Sequence, residues 1–100
     1  MTRSCVTRIS EQQLKVVGEI NFDNALDMCQ QGERLISKAA EQCEIDFSGV
    51  TRAGSAGLTL LFSWLRHAVN LQKTLTFINL PNDLLGVAKV SGVDEILPIK

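Results

Sequence analysis

One helix-forming segment, residues 55–71, constrains the fold more than any other part of the chain. Its polar side chains lie four, three, one and three residues apart, which places them on one narrow stripe of a helix. They are Thr59, Ser63, Arg66, His67 and Asn70. Because Ala, Leu, Phe, Trp and Val fill nearly all the remaining positions, other elements must cover most of this helix. We expect it to be the most buried helix of the protein.

Four short segments on either side of this helix show the pattern of strands. Residues 5–9 and 14–20 predict two strands joined by a polar turn, and residues 43–47 and 74–79 predict two more. Residues 48–54 predict a loop that leads into the buried helix.

Two further helices complete the pattern. The first follows a cap at Asp23 or Asn24. Its apolar residues form one stripe, made of Ala25, Leu26, Cys29, Leu35, Ile36 and Ala39. The other covers residues 84–90 after a cap in residues 81–83. The order β-β-α-β-α-β-α predicts an α/β fold, a four-stranded mixed sheet with an antiparallel hairpin and with helices packed against it.

Length and composition exclude several classes of protein. The 100 residues suit a single domain, residues 1–100, and 45% hydrophobic with 21% charged residues is ordinary for a globular protein. A formal net charge of −1 without a basic cluster gives no basis for nucleic-acid binding. Cys5, Cys29 and Cys43 form no closely spaced pair, so we expect neither disulfides nor a structural zinc site.

The chain shows no segment that would target it to a membrane or span one. Its start has no apolar stretch typical of a signal peptide, and its most apolar segment, residues 58–65, is far shorter than the ~20 residues that cross a bilayer. Free thiols suit a reducing compartment. We expect a cytoplasmic protein that reaches a membrane only through a partner.

The glycine-rich segment before the buried helix lacks the groups that catalysis would need. Gly49 and Gly54 have the spacing of a phosphate-binding loop, but Ser55 and Ala56 stand where that loop needs Lys and then Ser or Thr. Ser55 also lies between glycines, as a nucleophilic serine does, but the only histidine, His67, is ~18 Å away along the same helix. We therefore expect no enzyme activity, no cofactor and no metal.

Two interpretations of Ser55 remain. The residue is interpreted as the N-cap of its helix, with the glycines allowing a tight turn. An exposed helix N-terminus would also present free N–H groups near Ala56, Gly57 and Leu58, and such groups bind anions or a docking partner. A phosphate on Ser55 would be stabilised at the same place.

The residues around this helix resemble the signature of STAS domains, a family that includes anti-sigma factor antagonists. The resemblance covers residues 5–99 and implies the same β-β-α-β-α-β-α fold. It is carried by Val17-Gly18-Glu19-Ile20, by Ile45-Asp46-Phe47-Ser48-Gly49-Val50 and by Gly54-Ser55-Ala56-Gly57-Leu58-Thr59-Leu60-Leu61.

Two departures from the antagonist pattern point to one branch of this family. In the antagonists the helix opens Asp-Ser-Ser-Gly and the second serine is phosphorylated, whereas this chain has Gly54 at the first position and Ala56 at the third. The short C-terminal part, with Leu97-Pro98, is similar to that of MlaB-type subunits of Mla phospholipid ABC transporters. In those subunits a threonine that matches Ser55 is functionally important.

The MlaB-type resemblance implies a non-catalytic accessory subunit. Such a subunit binds the ATPase (MlaF-like), and through it the permease (MlaE-like), and supports outer-membrane lipid asymmetry from a cytoplasmic position peripheral to the inner membrane. The residues implied to contact the ATPase are Thr51, Arg52, Gly54, Ser55, Ala56 and Leu58. The alternative is an anti-sigma factor antagonist with a kinase partner, in which Ser55 is the candidate phosphorylation site.

Overall fold

The computed structural model describes residues 4–100 and confirms the predicted order of strands and helices. The elements are β1 (Cys5–Ser10), β2 (Gln13–Glu19), α1 (Ala25–Lys38), β3 (Gln42–Arg52), α2 (Gly54–Asn70), β4 (Thr74–Ile78) and α3 (Asn82–Val90). The expectation about a signal peptide falls partly on residues 1–3, which lie outside the described residues.

The four strands form one mixed sheet in the order β1-β2-β3-β4. β1 pairs antiparallel with β2, whereas β2 with β3 and β3 with β4 are parallel, as their helical connections predict. The C-terminal residues cover the outer edge of β4. There the Phe77 N–H donates to the Pro98 carbonyl at 2.8 Å, and the Lys100 N–H donates to the Phe77 carbonyl at 2.9 Å. These bonds satisfy backbone groups that an edge strand otherwise leaves unpaired.

Burial alternates along β2, β3 and β4, which shows that the helices cover one face of the sheet and leave the other open. Within the helical layer, α2 packs between α1 and α3. The centre of the core is aromatic: the ring centroid of Phe47 lies 6.1 Å from that of Trp64 and 6.1 Å from that of Phe77. The core therefore joins β3 and β4 directly to α2.

α2 is the most buried of the three helices, as predicted, with six buried residues against five in α1 and two in α3. Its Val69 is nevertheless exposed, and Phe62 and Leu65 are only half-buried, because the outer side of the helical layer faces solvent. The expectation for Leu26 is wrong: it belongs to the predicted apolar stripe of α1, yet it is exposed near the start of that helix.

β3 is longer than predicted and includes most of the expected loop. It continues to Arg52 because it keeps pairing with β2, where Val17 lies opposite Gly49 beyond a shift in register. The Ile20 N–H extends this contact by donating to the Arg52 carbonyl at 2.7 Å. The segment that leads into α2 is therefore held by the sheet almost to its end.

The N-cap residues do not cap their own helices with their side chains. Within residues 4–100, none of the three N-cap residues makes a side-chain hydrogen bond to its own helix. Asn24 is the N-cap of α1, which is one of the two predicted residues, and Pro81 is the N-cap of α3. The N-cap of α2 is Ala53, so the assignment of Ser55 as the cap is wrong.

Candidate functional site

The starts of the three helices meet at one edge of the sheet. Each helix follows one of the mutually parallel strands β2, β3 and β4, and the carboxyl ends of parallel strands share an edge. A shallow depression of about 350 Å³ lies at this edge. It is lined by Glu19, Ile20, Asn21, Phe22, Arg52, Ala53, Gly54, Ser55, Ala56 and Asp83.

The start of α2 depends on the backbone conformation of Gly54. This glycine has φ +54°, in the left-handed region that side-chain-bearing residues seldom adopt, and it is the first residue of the helix. A Cβ atom built at this position would meet nothing within 4 Å. The backbone angle, and not crowding, is therefore what favours glycine here. Ser55 becomes the second residue of α2, and it is exposed.

The carboxylate of Asp83, which belongs to the neighbouring helix α3, caps the start of α2. Its Oδ2 accepts hydrogen bonds from the N–H groups of Ala53 and Gly54, each at 2.9 Å, and its Oδ1 accepts one from the Leu84 N–H at 3.0 Å. The bond from the Ala53 N–H is the main reason that the pKa of Asp83 lies below its ordinary value. The positive end of α2 thus already has an anion bound to it.

The expectation of free N–H groups near Ala56, Gly57 and Leu58 is therefore partly wrong. The Gly57 N–H donates to the Ala53 carbonyl at 3.1 Å, because the helix begins one residue earlier than predicted. The amides left without an acceptor by helix geometry are those of Ser55 and Ala56. These two amides lie at the depression, beside the N–H groups that Asp83 has bound.

The depression brings together four of the six residues predicted to contact a partner. They are Arg52, Gly54, Ser55 and Ala56. Arg52 and Ser55 are exposed, whereas the side chain of Ala56 is buried and belongs to the core. Thr51 is exposed but lies outside the depression, and Leu58 is half-buried against the core.

Among the six lining residues that sequence reasoning missed, Asp83 and Phe22 matter most to the site. Asp83 was expected only to begin α3, but the parallel order of β3 and β4 already implies that α2 and α3 start at the same edge. Phe22 is an aromatic residue in a polar turn between Asn21 and Asp23, and the structure leaves it exposed at the depression. The signal in the sequence was Phe22 itself, an apolar residue that belongs to no predicted strand or helix.

The other candidate groups lie away from this depression. The Nε2 atom of His67 lies 2.9 Å from the Oγ atom of Ser37, between α2 and α1, so it is already paired across the helical layer. No three or more His, Cys, Asp or Glu side chains of residues 4–100 are placed to hold a metal ion. In the same part of the chain, no helix is both long and apolar enough to cross a membrane.

A family model described as MlaB, STAS domain matches residues 5–98. The chain belongs to the STAS domain family. No curated protein shows significant sequence similarity to it. Among solved structures, a chain of the Acinetobacter MlaFEDB complex in an ATP-bound conformation is 28% identical and superposes with a TM-score of 0.77. That match covers 89% of this chain and 94% of the Acinetobacter chain.

Anti-sigma factor antagonists share the fold of this STAS domain. One from Mycobacterium paratuberculosis is 19% identical with a TM-score of 0.71, and the match covers 97% of this chain and 83% of that one. The phosphorylated form of SpoIIAA, a Bacillus cell fate determinant, is 13% identical with a TM-score of 0.69, over 98% of this chain and 89% of that one.

The structure shows what surrounds the two positions at which the resemblance to the antagonists predicts a departure from Asp-Ser-Ser-Gly. Gly54 carries no carboxylate, and Asp83 supplies one to the same helix start from α3. Ala56, which the resemblance aligns with the phosphorylated serine, has its methyl group in the core. Ser55 is therefore the exposed hydroxyl of this helix start.

Proposed function

We propose that this STAS domain is the non-catalytic accessory subunit of an Mla-type phospholipid ABC transporter. In this role it binds the ATPase subunit, contacts the permease only through it, and supports assembly and activity of the complex that maintains outer-membrane lipid asymmetry. The observation that carries the proposal is the 28% identity to a chain of the Acinetobacter MlaFEDB complex over 89% of this chain. The MlaB description of the matching family model supports it independently.

The site favours docking over chemistry. The depression is open and shallow, and the acceptor nearest to its helix amides is the structural carboxylate of Asp83. Ser55 and Arg52 are exposed on its rim, where they are accessible to a protein surface. We propose that the ATPase subunit contacts this rim, and that Thr51 and Leu58 belong to the border of the contact. In such a complex the subunit lies in the cytoplasm, peripheral to the inner membrane.

An anti-sigma factor antagonist is the second candidate function. The observation that favours it is the exposed Ser55 hydroxyl at the N-terminus of α2, together with a fold shared with phosphorylated SpoIIAA. The carboxylate of Asp83 weighs against it. A phosphate group on Ser55 would bring about two negative charges to a depression in which a carboxylate already occupies the first helix amides.

Purification of the tagged protein from detergent-solubilised source cells, with its partners identified by mass spectrometry, separates the two functions. Recovery of an ABC ATPase with its permease supports the transporter subunit. Recovery of a soluble anti-sigma kinase, with phosphate on Ser55, supports the antagonist and overturns the proposal.

The site is tested with purified ATPase subunit and a Ser55→Glu variant. We expect this variant to bind at least tenfold more weakly, because a carboxylate is added beside Asp83 at the contact. Ser10→Glu is the matched control, since Ser10 is exposed and pairs with the first residue of β2, at the opposite edge of the sheet. Equal binding by both variants would remove Ser55 from the interface.

A further inference from the structure

Phe22 is the one exposed ring among the chain's five aromatic residues, all of which the structure describes. Its side chain is 77% exposed, and that of Leu26, four residues later, is 72% exposed. Phe22 lines the same depression as Ser55 and Arg52. An aromatic ring gains much from burial, so a ring left in solvent beside a docking site indicates a contact with a partner.

The turn that carries Phe22 is rigid. The Asn21 side chain accepts hydrogen bonds from the N–H groups of Asp23 at 2.9 Å and Asn24 at 3.0 Å. The Asn24 side chain accepts one from the Asn21 N–H at 3.0 Å and donates one to the Glu19 carbonyl at 2.8 Å. Four side-chain to backbone bonds therefore fix the backbone of the turn, so binding through Phe22 needs to order the ring but not the chain that carries it.

The segment that carries the two apolar residues has more acidic than basic side chains. Residues 19–27 hold Glu19, Asp23 and Asp27 and contain no Lys or Arg, and the first basic residue after this segment is Arg34, beside Asp27. Arg52 is the basic residue that faces this segment across the depression. A complementary partner surface therefore carries Lys or Arg around an apolar group.

We propose that Phe22 and Leu26 are the apolar anchors of the ATPase interface, and that the carboxylates around them select an amphipathic, basic segment of the ATPase subunit. The proposal rests on the proposed function for the identity of the partner. The rigid turn supplies the ring, the depression beside it receives an apolar side chain of the partner, and the acidic residues pair with its Lys or Arg side chains.

The anchors are tested by the affinity of the purified ATPase subunit for variants of the full chain. We expect Phe22→Ser to weaken binding at least tenfold and Leu26→Ser severalfold, because truncation of a central apolar anchor removes a large share of binding energy. Val90→Ser is the control, since Val90 is 91% exposed at the end of α3, away from the helix starts. It should leave the affinity unchanged within twofold, and all three variants should unfold at the wild-type temperature.

The charge selection is tested with the double variant Glu19→Gln, Asp23→Asn. We expect its association rate with the ATPase subunit to fall severalfold at low salt and to approach that of the wild type at high salt, where exposed charges are screened. If the double variant associates at the wild-type rate at low salt, the carboxylates do not select a basic partner segment, and this part of the proposal is overturned.

The outcomes distinguish the anchors from the proposed function. If the wild type binds the ATPase and Ser55→Glu weakens it, but Phe22→Ser and Leu26→Ser bind normally, the proposed function stands and the anchors are overturned. Equal losses in Phe22→Ser and Val90→Ser also overturn the anchors. If the wild type does not bind the ATPase subunit, the proposed function is wrong. The ATPase subunit is then also wrong as the partner of Phe22 and Leu26.

Discussion

The Oδ2 atom of Asp83 lies 2.9 Å from the backbone nitrogen of Gly54, so the start of α3 is bound to the start of α2. The same oxygen accepts the N–H of Ala53. Two helix starts are thereby joined by one carboxylate, and the joint is part of the surface that carries Ser55. Asp83 makes this end of the protein a fixed surface and not an empty anion site.

Removal of the Asp83 carboxylate should destabilise the protein. We expect Asp83→Ala to lower the free energy of unfolding by roughly 1–2 kcal/mol, because the variant loses its hydrogen bonds to helix-start amides. Asp83→Asn should lose less, since its side-chain oxygen still accepts. Urea unfolding at pH 7 measures both, with the exposed neighbour Asn82→Ala as control. A stable Asp83→Ala protein would show that the bonds contribute nothing.

The contribution of Asp83 should depend on pH. The pKa of Asp83 in the folded protein lies below the ordinary 3.8, so folding favours the ionised carboxylate over the protonated one. The stabilisation is therefore fully present above the unfolded pKa and is lost as pH falls through the folded one. We expect the difference in unfolding free energy between wild type and Asp83→Asn to be constant from about pH 5 to 7 and to shrink below about pH 4. A difference that grows on acidification would contradict this sign.

Contact between α1 and α2 depends on the absence of a side chain at Gly32. A Cβ atom built there would clash with the indole ring of Trp64, and the indole N–H is fixed by its bond to the Cys29 carbonyl at 3.1 Å. We expect Gly32→Ala to cost roughly 1–3 kcal/mol by overpacking. Gly86→Ala is the matched control, because nothing lies within 4 Å of its Cβ, and it should be neutral or stabilising by up to about 1 kcal/mol. Equal urea midpoints for Gly32→Ala and Gly86→Ala would show that the contact between α1 and α2 does not require a glycine at position 32.

The order of elements could be predicted from the sequence because each rests on local pattern. Alternation in residues 14–20 and the polar stripe of α2 are properties of single segments, and both elements are present in the structure. The end of β3 could not be predicted in this way. Residues 48–52 have the composition of a loop, but pairing with β2 holds them in the sheet.

The sequence could place together only those candidate residues that belong to one segment. Arg52, Gly54 and Ser55 lie at the same depression because they are close along the chain at the start of α2, and their contact with a partner stays a prediction. Asp83 comes from a different helix, 29 residues later than Gly54, and its role depends on which helix starts share an edge. Ser55 was assigned as the cap because serine prefers that position, whereas the left-handed φ of Gly54 begins the helix earlier.

The C-terminal end of α1 depends on Lys73, a residue outside that helix. The Lys73 Nζ atom donates to the carbonyl oxygens of Ile36, Ser37 and Ala39 at 2.7–2.9 Å. We expect Lys73→Met to lower the free energy of unfolding by roughly 1–3 kcal/mol, because a cation and three bonds at the negative helix end are lost. Lys38→Met is the control, since Lys38 is an exposed cation in the last turn of α1 itself. If Lys38→Met lowers the free energy of unfolding as much as Lys73→Met does, the effect of Lys73 comes from its charge and not from its three hydrogen bonds.

The conformation of Gly54 should have a stability cost for any other residue. We expect Gly54→Ala to lower the free energy of unfolding by roughly 1 kcal/mol or more, because φ +54° is unfavourable for a residue with a Cβ atom. Gly54→Asn should lose less, since asparagine tolerates this region better. Gly86→Ala again serves as control, because its Cβ is equally unhindered but its φ is not positive. Urea unfolding of the three variants decides the point: if Gly54→Ala is as stable as Gly86→Ala, the positive φ does not determine where α2 begins.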